Sequence, residues 1–391
     1  MTIDIPNKEI PSASPARRGV VAVAMSGGVD SSLTALLLAE QGYEVMGFTL
    51  LLHDEGDGIS AEGAGRERRC CAATGAARAR QAALRAGGWH RVLDAREAFR
   101  ASVMEDFKRQ YALGRTPNPC VRCNTYVKWG LLIEHARRLG ADWFATGHHA
   151  RVVREGGHTL LKRGADRQKD QGYALWGIPR RSLERTLLPV GELDKSRVRE
   201  LAGRWGLAAA GVPDSQEICF IPSDDYRHFL RDRVRRDREA GSLDEELERA
   251  LRPGEIVDEE GKVVGRHDGT ALYTVGQRRG LGVAAGRRLY VHATDPERGT
   301  VRIGGEEGLL TPSLTASGAN WVSIDPPAEP FRADVQIRYN GTPAAARIDP
   351  AGSGTFRVLF DGPQRAVTPG QSAVLFDGDV VLGGGVIESV P

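Results

Sequence analysis

The chain has 391 residues, enough for two to three domains with cores of their own, and a formal net charge of only +2, so any nucleic-acid surface must be a local patch. No apolar run approaches the length of a membrane-spanning helix. Five cysteines, all before residue 220, are too few and too unevenly placed for a disulfide scaffold; they point to a reducing, cytoplasmic setting and to thiol chemistry or metal binding.

Residues 1–18 carry three prolines and both signs of charge without an apolar core, and read as a disordered tail, not as a signal or transit peptide. Residues 20–25, 44–52, 90–93 and 143–146 read as strands, and 33–41, 76–86, 98–112 and 128–139 as helices. This alternation predicts an α/β domain with a mostly parallel sheet covered on both faces, and ligands beyond the carboxyl ends of its strands. Residues 220–252 form a charge-dense helical stretch in which Arg227, Arg231, Arg233, Arg235, Arg236 and Arg238 are interleaved with acids. It reads equally as a solvated helix laced with ion pairs or as a grip on RNA. After Pro253, short runs at 255–257, 262–264, 289–293, 300–303, 334–339, 355–360 and 372–376 predict small sheets and a closed or nearly closed β-barrel.

Two segments carry chemistry. Ser26-Gly27-Gly28-Val29-Asp30-Ser31-Ser32 lies between the first strand and a helix start. Glycines let backbone N–H groups approach an anion, the helix N-terminus adds partial positive charge, and Asp30 is suited to hold Mg²⁺ or a ribose. No Gly-Lys-Ser/Thr follows, so this is not the kinase-type loop. It resembles the pyrophosphatase loop of the N-type ATP-pyrophosphatases, which split ATP to AMP and adenylate their substrates. Gly147-His148-His149 falls at another strand end and is expected to face the same pocket. The second segment, Thr116 to Asn124, places two prolines before Cys120-Val121-Arg122-Cys123, at a helix start where the helix N-terminus and Arg122 favour thiolate. By spacing alone a Cys-x-x-Cys is as often a zinc or redox element as a catalytic one, with His148 or His149 the candidate fourth zinc ligand. Cys219, within Asp214-Ser215-Gln216-Glu217-Ile218-Cys219-Phe220-Ile221, is the third thiol of interest.

These segments, with Ala145 to His149, Lys169-Asp170-Gln171, Gly276 to Gly282 and Thr368 to Gln371, occur in the order seen in the tRNA-specific 2-thiouridylases, which the chain resembles from about residue 20 to 387. The resemblance implies an ATP-pyrophosphatase domain with the thiol site over residues 19–215, a small central α+β tRNA-binding domain over 216–288 and a C-terminal β-barrel over 289–391. It implies ATP with Mg²⁺, tRNA as partner, and a cysteine desulfurase or sulfur-relay protein as persulfide donor. The reaction adenylates the 2-oxygen of the wobble uridine and replaces it with sulfur. Carried over residue by residue, the persulfide carrier matches Cys219 and the partner nucleophile Cys123. ATP-binding positions match Ala24, Met25, Ser26, Gly27, Gly28, Val29, Asp30, Ser31, Leu50 and Gly147. Positions that touch tRNA match Asn118, Pro119, Cys120, His148, Lys169, Asp170, Gln171, Arg338, Tyr339 and Gln371. Cys70 and Cys71 match a family pair without the acids that usually follow, and read as packing residues. Many members carry Asp where Cys120 stands. Cys120, Cys123 and Cys219 together therefore also resemble the three-thiolate iron–sulfur site of related tRNA-thiolating enzymes, an alternative carrier of the sulfide. Rival functions are another adenylating amide- or thio-transferase, and an RNA-binding protein that uses the nucleotide loop as a switch.

Overall fold

The computed structural model describes residues 18–53, 73–213, 218–221, 225–284, 286–352 and 354–390. The expected tail over residues 1–17 and the Cys70-Cys71 pair lie outside them.

The expected α/β domain is built on β1 (Val20–Ala24), β2 (Glu44–Leu51), β3 (Trp89–Asp94) and β4 (Trp143–Thr146). After β4 the chain makes a hairpin, β5 (Ala150–Glu155) and β6 (His158–Arg163), then adds β7 (Thr186–Leu187). The sheet order is β3-β2-β1-β4-β7, with every neighbouring pair parallel. In β1, Val21, Ala22 and Val23 are all fully buried, because a central strand of a parallel sheet is covered on both faces. Successive side chains point to opposite faces, and the two cores show it. Val21 and Val23 pack with α1 (Val29–Glu40), α2 (Ala73–Arg85) and the helix Lys195–Arg204, while Ala22 packs with Phe48, Phe99, Phe107 and Trp129 from the other layer. Two helices of that second layer contain π-helical stretches, Arg100–Met104 and Cys123–Leu132. Such wide turns recur at functional sites, and the second one begins at Cys123.

The central unit carries β8 (Gly254–Val257), β9 (Val263–His267), β10 (Tyr290–Asp295) and β11 (Thr300–Gly304) in the order β10-β11-β8-β9. The expected boundary at 289 therefore cuts this sheet. β11 pairs with β8 and β10 with β11, so both belong to the central unit, and the barrel strands begin at Leu310. β12 (Leu310–Asn320), β13 (Phe331–Gln336), β14 (Ala344–Pro350), β15 (Phe356–Arg365), β16 (Ser372–Asp377) and β17 (Val380–Ser389) run in the order β12-β15-β14-β13-β16-β17. Pairing of β12 with β17 closes the barrel. The β5–β6 hairpin of the first domain then extends this sheet, with Lys162 paired to Val380. The hairpin is absent from the expected elements, although Gly156-Gly157 between two strand-like runs carries its signal. Both glycines have positive φ, 58° and 80°, as a two-residue hairpin turn requires.

In the arginine-rich helix, Tyr226–Glu239, four of the six arginines form ion pairs. Arg235 and Arg236 hold Asp232 at 2.6 and 2.7 Å, Arg238 pairs with Glu248, and Arg231 lies 3.7 Å from Asp268. Lys108, buried, reaches Asp237 at 3.0 Å and ties this helix to the first domain.

Candidate active site

β1 delivers the chain into the Ser26–Ser32 turn at the carboxyl edge of the sheet. Gly27 adopts a φ of 76°, and a Cβ there would lie 2.1 Å from the carbonyl oxygen of Gly75. Only glycine fits both constraints. Gly28 caps α1; its N–H donates to Ser26 Oγ at 3.3 Å, while Ser31 Oγ accepts from the Ser26 N–H at 3.2 Å. The turn is thus shaped by its own hydroxyls, and it lies at the positive end of α1. Leu50 and Met25 are buried under it and Ala24 is partly buried. Thr49 donates to the Met25 carbonyl at 2.8 Å, and Arg78 Nε donates to the Gly27 carbonyl at 3.1 Å.

Asp30 sits in the first turn of α1 and is the electrostatic centre of the site. Lys195 Nζ lies 2.7 Å from each of its carboxylate oxygens, and His149 Nε2 lies 3.2 Å from Oδ1. Burial pushes the Asp30 carboxyl up, but the hydrogen bonds from His149 and Lys195 outweigh it and hold the group below the usual carboxylate range. Lys195 opens a helix whose N-cap, Asp194, accepts from the Arg197 N–H at 2.8 Å. Sequence reasoning missed this lysine: it stands 165 residues from Asp30, and only the fold joins them.

Of the expected Gly147-His148-His149 segment, Gly147 and His149 abut the start of α1, while His148 turns toward Thr146 and Trp129. A Cβ on Gly147 would lie 2.5 Å from the Ser31 nitrogen, so β4 presses directly on the start of α1. Gly147→Ala is expected to cost about 1–3 kcal/mol through overpacking, with weaker nucleotide binding, read by thermal unfolding and ATP titration. His149 is buried, and its backbone N–H donates to Gln171 Oε1 at 2.9 Å. His148 Nδ1 lies 2.6 Å from Thr146 Oγ1, with the Trp129 ring centroid 5.6 Å away. Burial above all, then the charge of Lys128, pushes the His148 imidazole well below its ordinary value. Between that depressed value and about 6.5 the unfolded chain takes up a proton that the folded chain refuses. Stability therefore falls as pH drops below about 6.5, by up to ~1.4 kcal/mol per pH unit. His148→Gln should flatten that part of the stability–pH curve measured by urea unfolding.

The Thr116-to-Asn124 loop leads into the helix Pro119–Arg122, capped by Asn118, whose Oδ1 accepts from the Val121 N–H at 3.3 Å. Cys120 is exposed, and Cys123, one turn on, is buried. Arg122 does not face the thiols as expected. It lies 3.1 Å from Asp106, donates to the Ser102 carbonyl at 2.7 Å and stacks on Tyr126. Cys219, partly buried, packs on the same apolar cluster that contains Cys123. Its neighbour Phe220 holds the segment there through edge contacts to Phe99, Phe107 and Phe229. Among the described residues no group of three His, Cys, Asp or Glu side chains gathers as a metal site would require. Neither the zinc set nor the three-thiolate iron–sulfur set is assembled in this arrangement.

Comparison with known proteins gives the family. The chain matches the tRNA methyl transferase HUP domain family over residues 19–223, the tRNA methyl transferase PRC-barrel domain over 242–305 and the aminomethyltransferase beta-barrel domain over 311–387. It is 46% identical to the tRNA-specific 2-thiouridylase MnmA of Carboxydothermus hydrogenoformans, over 95% of this chain and 98% of that one. Identity to the protein of the same name from Pelotomaculum thermopropionicum is 44%, over 94% and 97%, and to that from Salinibacter ruber 45%, over 96% and 95%. The chain belongs to the tRNA-specific 2-thiouridylase family.

Of the positions expected to touch tRNA, Asn118, Pro119 and Cys120 lie on the loop itself and Gln371 reaches it from the barrel. Gln371 Nε2 donates to the carbonyls of Thr116 and Pro117 at 3.0 and 3.1 Å, which ties the loop to the barrel. Tyr339 is exposed at its edge; burial of its hydroxyl, then the charges of Asp170 and Cys120, push that hydroxyl up. Pro119 is buried. Asp170 is turned inward: it lies 2.9 Å from Arg163 and accepts from the Gly164 and Gly172 N–H groups at 2.9 and 3.0 Å. Lys169 is partly buried on the turn before it. Arg338 donates to the carbonyls of Ala366, at 3.2 Å, and Arg365.

Proposed function

We propose that the protein is a tRNA 2-thiouridylase that uses ATP to activate the wobble uridine and a protein persulfide to supply sulfur. The observation that carries this reading is the joining, in a chain of this family, of a glycine-cradled anion loop centred on Asp30 with two thiols, Cys123 and Cys219, on one apolar cluster. A pyrimidine carbonyl oxygen is a poor leaving group. Attack of that oxygen on the α-phosphorus of ATP expels pyrophosphate and converts it to an adenylate, which departs as AMP.

The residues divide the work. The N–H groups of the Ser26–Ser32 turn and the N-terminus of α1 receive the phosphates, with Lys195 adding positive charge at the loop. Asp30 would supply a carboxylate for a Mg²⁺, whose chemistry there would be to neutralise phosphate charge. The terminal sulfur of a persulfide on Cys219 attacks C2 of the base and AMP leaves. The Cys123 thiolate then attacks Cys219 Sγ, which breaks the sulfur–sulfur bond, frees 2-thiouridine and leaves a Cys123–Cys219 disulfide for a cellular thiol reductant. Burial of Cys123 keeps its thiol from competing acceptors until the mixed disulfide forms. The persulfide is supplied by a cysteine desulfurase or a sulfur-relay protein.

Incubation of purified protein with ATP and unmodified tRNA tests the reading. Pyrophosphate release that requires tRNA, and AMP with 2-thiouridine in the digested tRNA once a persulfide donor is added, are the expected results. AMP formation indifferent to tRNA would favour a small-molecule adenylating enzyme, and none under any condition would favour a nucleotide-switched RNA-binding protein.

A further inference from the structure

The helix α2 is pressed against the Ser26–Ser32 turn. Where a Cβ on Gly27 would stand only 2.1 Å from the Gly75 carbonyl oxygen, the backbone of the helix abuts the backbone of the turn. Arg78 follows three residues after Gly75, and residues three apart on a helix share a face. Its Nε donates to the Gly27 carbonyl at 3.1 Å, which fixes a half-buried guanidinium at the rim of the turn.

The charge of this group is uncommitted. α2 contains no acidic residue, and among the described residues no carboxylate pairs with Arg78. Lys195, in contrast, is held by both oxygens of Asp30 at 2.7 Å, so those two charges offset each other. Arg85, two turns along α2, spends its guanidinium on the carbonyls of Trp205 and Gly206. Arg78 commits only Nε, and its two Nη groups keep the fork that matches a pair of phosphate oxygens. The direction of approach selects the phosphates. Ala79, Ala82 and Ala83 place α2 in the layer of α1, whereas Cys123 and Cys219 pack in the layer on the other face of the sheet. The α-phosphorus must face the base and the thiols. A group that arrives from the layer of α2 therefore meets the phosphates beyond it.

We propose that Arg78 is a pyrophosphate ligand, whose guanidinium binds the β- and γ-phosphates of ATP and holds pyrophosphate as it leaves. The inference rests on the proposed adenylation and names the side chain that receives its leaving charge. As the bond from the α-phosphorus to the bridging oxygen breaks, its electron pair passes to pyrophosphate. Arg78 meets that charge with N–H groups and gives up no proton. The contact strengthens as the charge grows, so it speeds the step as well as holding the nucleotide.

The test is isothermal titration of the full-length protein with inorganic pyrophosphate and, separately, with AMP, in magnesium buffer. Wild type, Arg78→Gln, Arg78→Lys and Arg80→Gln are compared. Arg78→Gln should weaken pyrophosphate binding roughly 10–100-fold and leave AMP affinity unchanged. Arg78→Lys keeps the charge without the fork and should recover part of the loss. Arg80→Gln, at an exposed position of the same helix, should match wild type. Single-turnover release of pyrophosphate from ATP and tRNA should slow in Arg78→Gln by roughly tenfold or more. Equal losses of pyrophosphate and AMP affinity in Arg78→Gln would make the role structural and overturn the proposal. Wild-type pyrophosphate affinity in Arg78→Gln, in a protein that still thiolates tRNA, would overturn it while leaving the function intact. Pyrophosphate binding that depends on Arg78, in a wild type that never releases pyrophosphate with tRNA, would uphold the ligand and contradict the proposed function.

Discussion

Cys219→Ser is expected to abolish 2-thiouridine formation, by at least roughly 10³-fold, while tRNA adenylation, read as tRNA-dependent pyrophosphate release, persists. A serine hydroxyl cannot carry a sulfane sulfur, yet it leaves the residues of the adenylating loop unchanged. Cys123→Ser is expected to stop at a different point, with base and protein still joined through the unbroken sulfur–sulfur bond. Non-reducing electrophoresis of the reaction mixture should show this adduct in Cys123→Ser and not in Cys219→Ser. Free 2-thiouridine at the normal rate from either variant would remove that cysteine from the relay. Cys120→Ala, in contrast, should keep most of the activity, because the exchange needs only the other two thiols.

The second large effect concerns the centre of the nucleotide loop. Asp30→Ala is expected to lower tRNA adenylation roughly 10²–10³-fold, in line with the loss of one preorganised electrostatic group. Lys195 and His149 lose the partner that orients them at 2.7 and 3.2 Å, and the carboxylate proposed to hold Mg²⁺ is gone. Lys195→Met should weaken ATP binding about tenfold or more while leaving tRNA affinity unchanged, checked by isothermal titration with each ligand. An Asp30→Ala protein that adenylates tRNA at the wild-type rate would show that the loop holds no nucleotide. The Asp30 carboxyl is held below its unfolded value, so its pairing contributes stability above about pH 4 and loses it as pH falls further. Asp30→Asn should therefore reduce stability at neutral pH more than at pH 3.

The first domain was legible because its signals are local. The β1 run is apolar at every position, as a strand buried on both faces must be, and the serine–glycine turn interrupts it at the helix start. Lys195 was not legible, because nothing at residue 195 announces Asp30; the register of β4 against β1 and the packing of the helix Lys195–Arg204 on α1 bring them together. The same holds for Asp170, which sequence places on a polar turn and the fold turns inward against Arg163. Arg122 shows the converse error. Its place between two cysteines suggested a thiolate partner, but a helix points successive side chains about 100° apart, and Arg122 faces Asp106. The hairpin β5–β6 was signalled by Gly156-Gly157, yet its membership of the barrel sheet is a tertiary fact, set by a single pairing of Lys162 with Val380. The boundary near 289 failed for a related reason: strands of two consecutive β-rich units look alike in sequence, and only hydrogen-bond partners separate β10 and β11 from the barrel.

The most direct measurement is a single turnover by protein loaded with ³⁵S-labelled persulfide, freed of donor and low-molecular-weight sulfur, then mixed with ATP and unmodified tRNA. Label should move from Cys219 to the tRNA base in up to one equivalent, with one AMP and one pyrophosphate per sulfur transferred and a Cys123–Cys219 disulfide left on the protein. Label that stays on the protein while AMP is released, or thiolation at the full rate by unlabelled Cys219→Ser protein, would contradict the account.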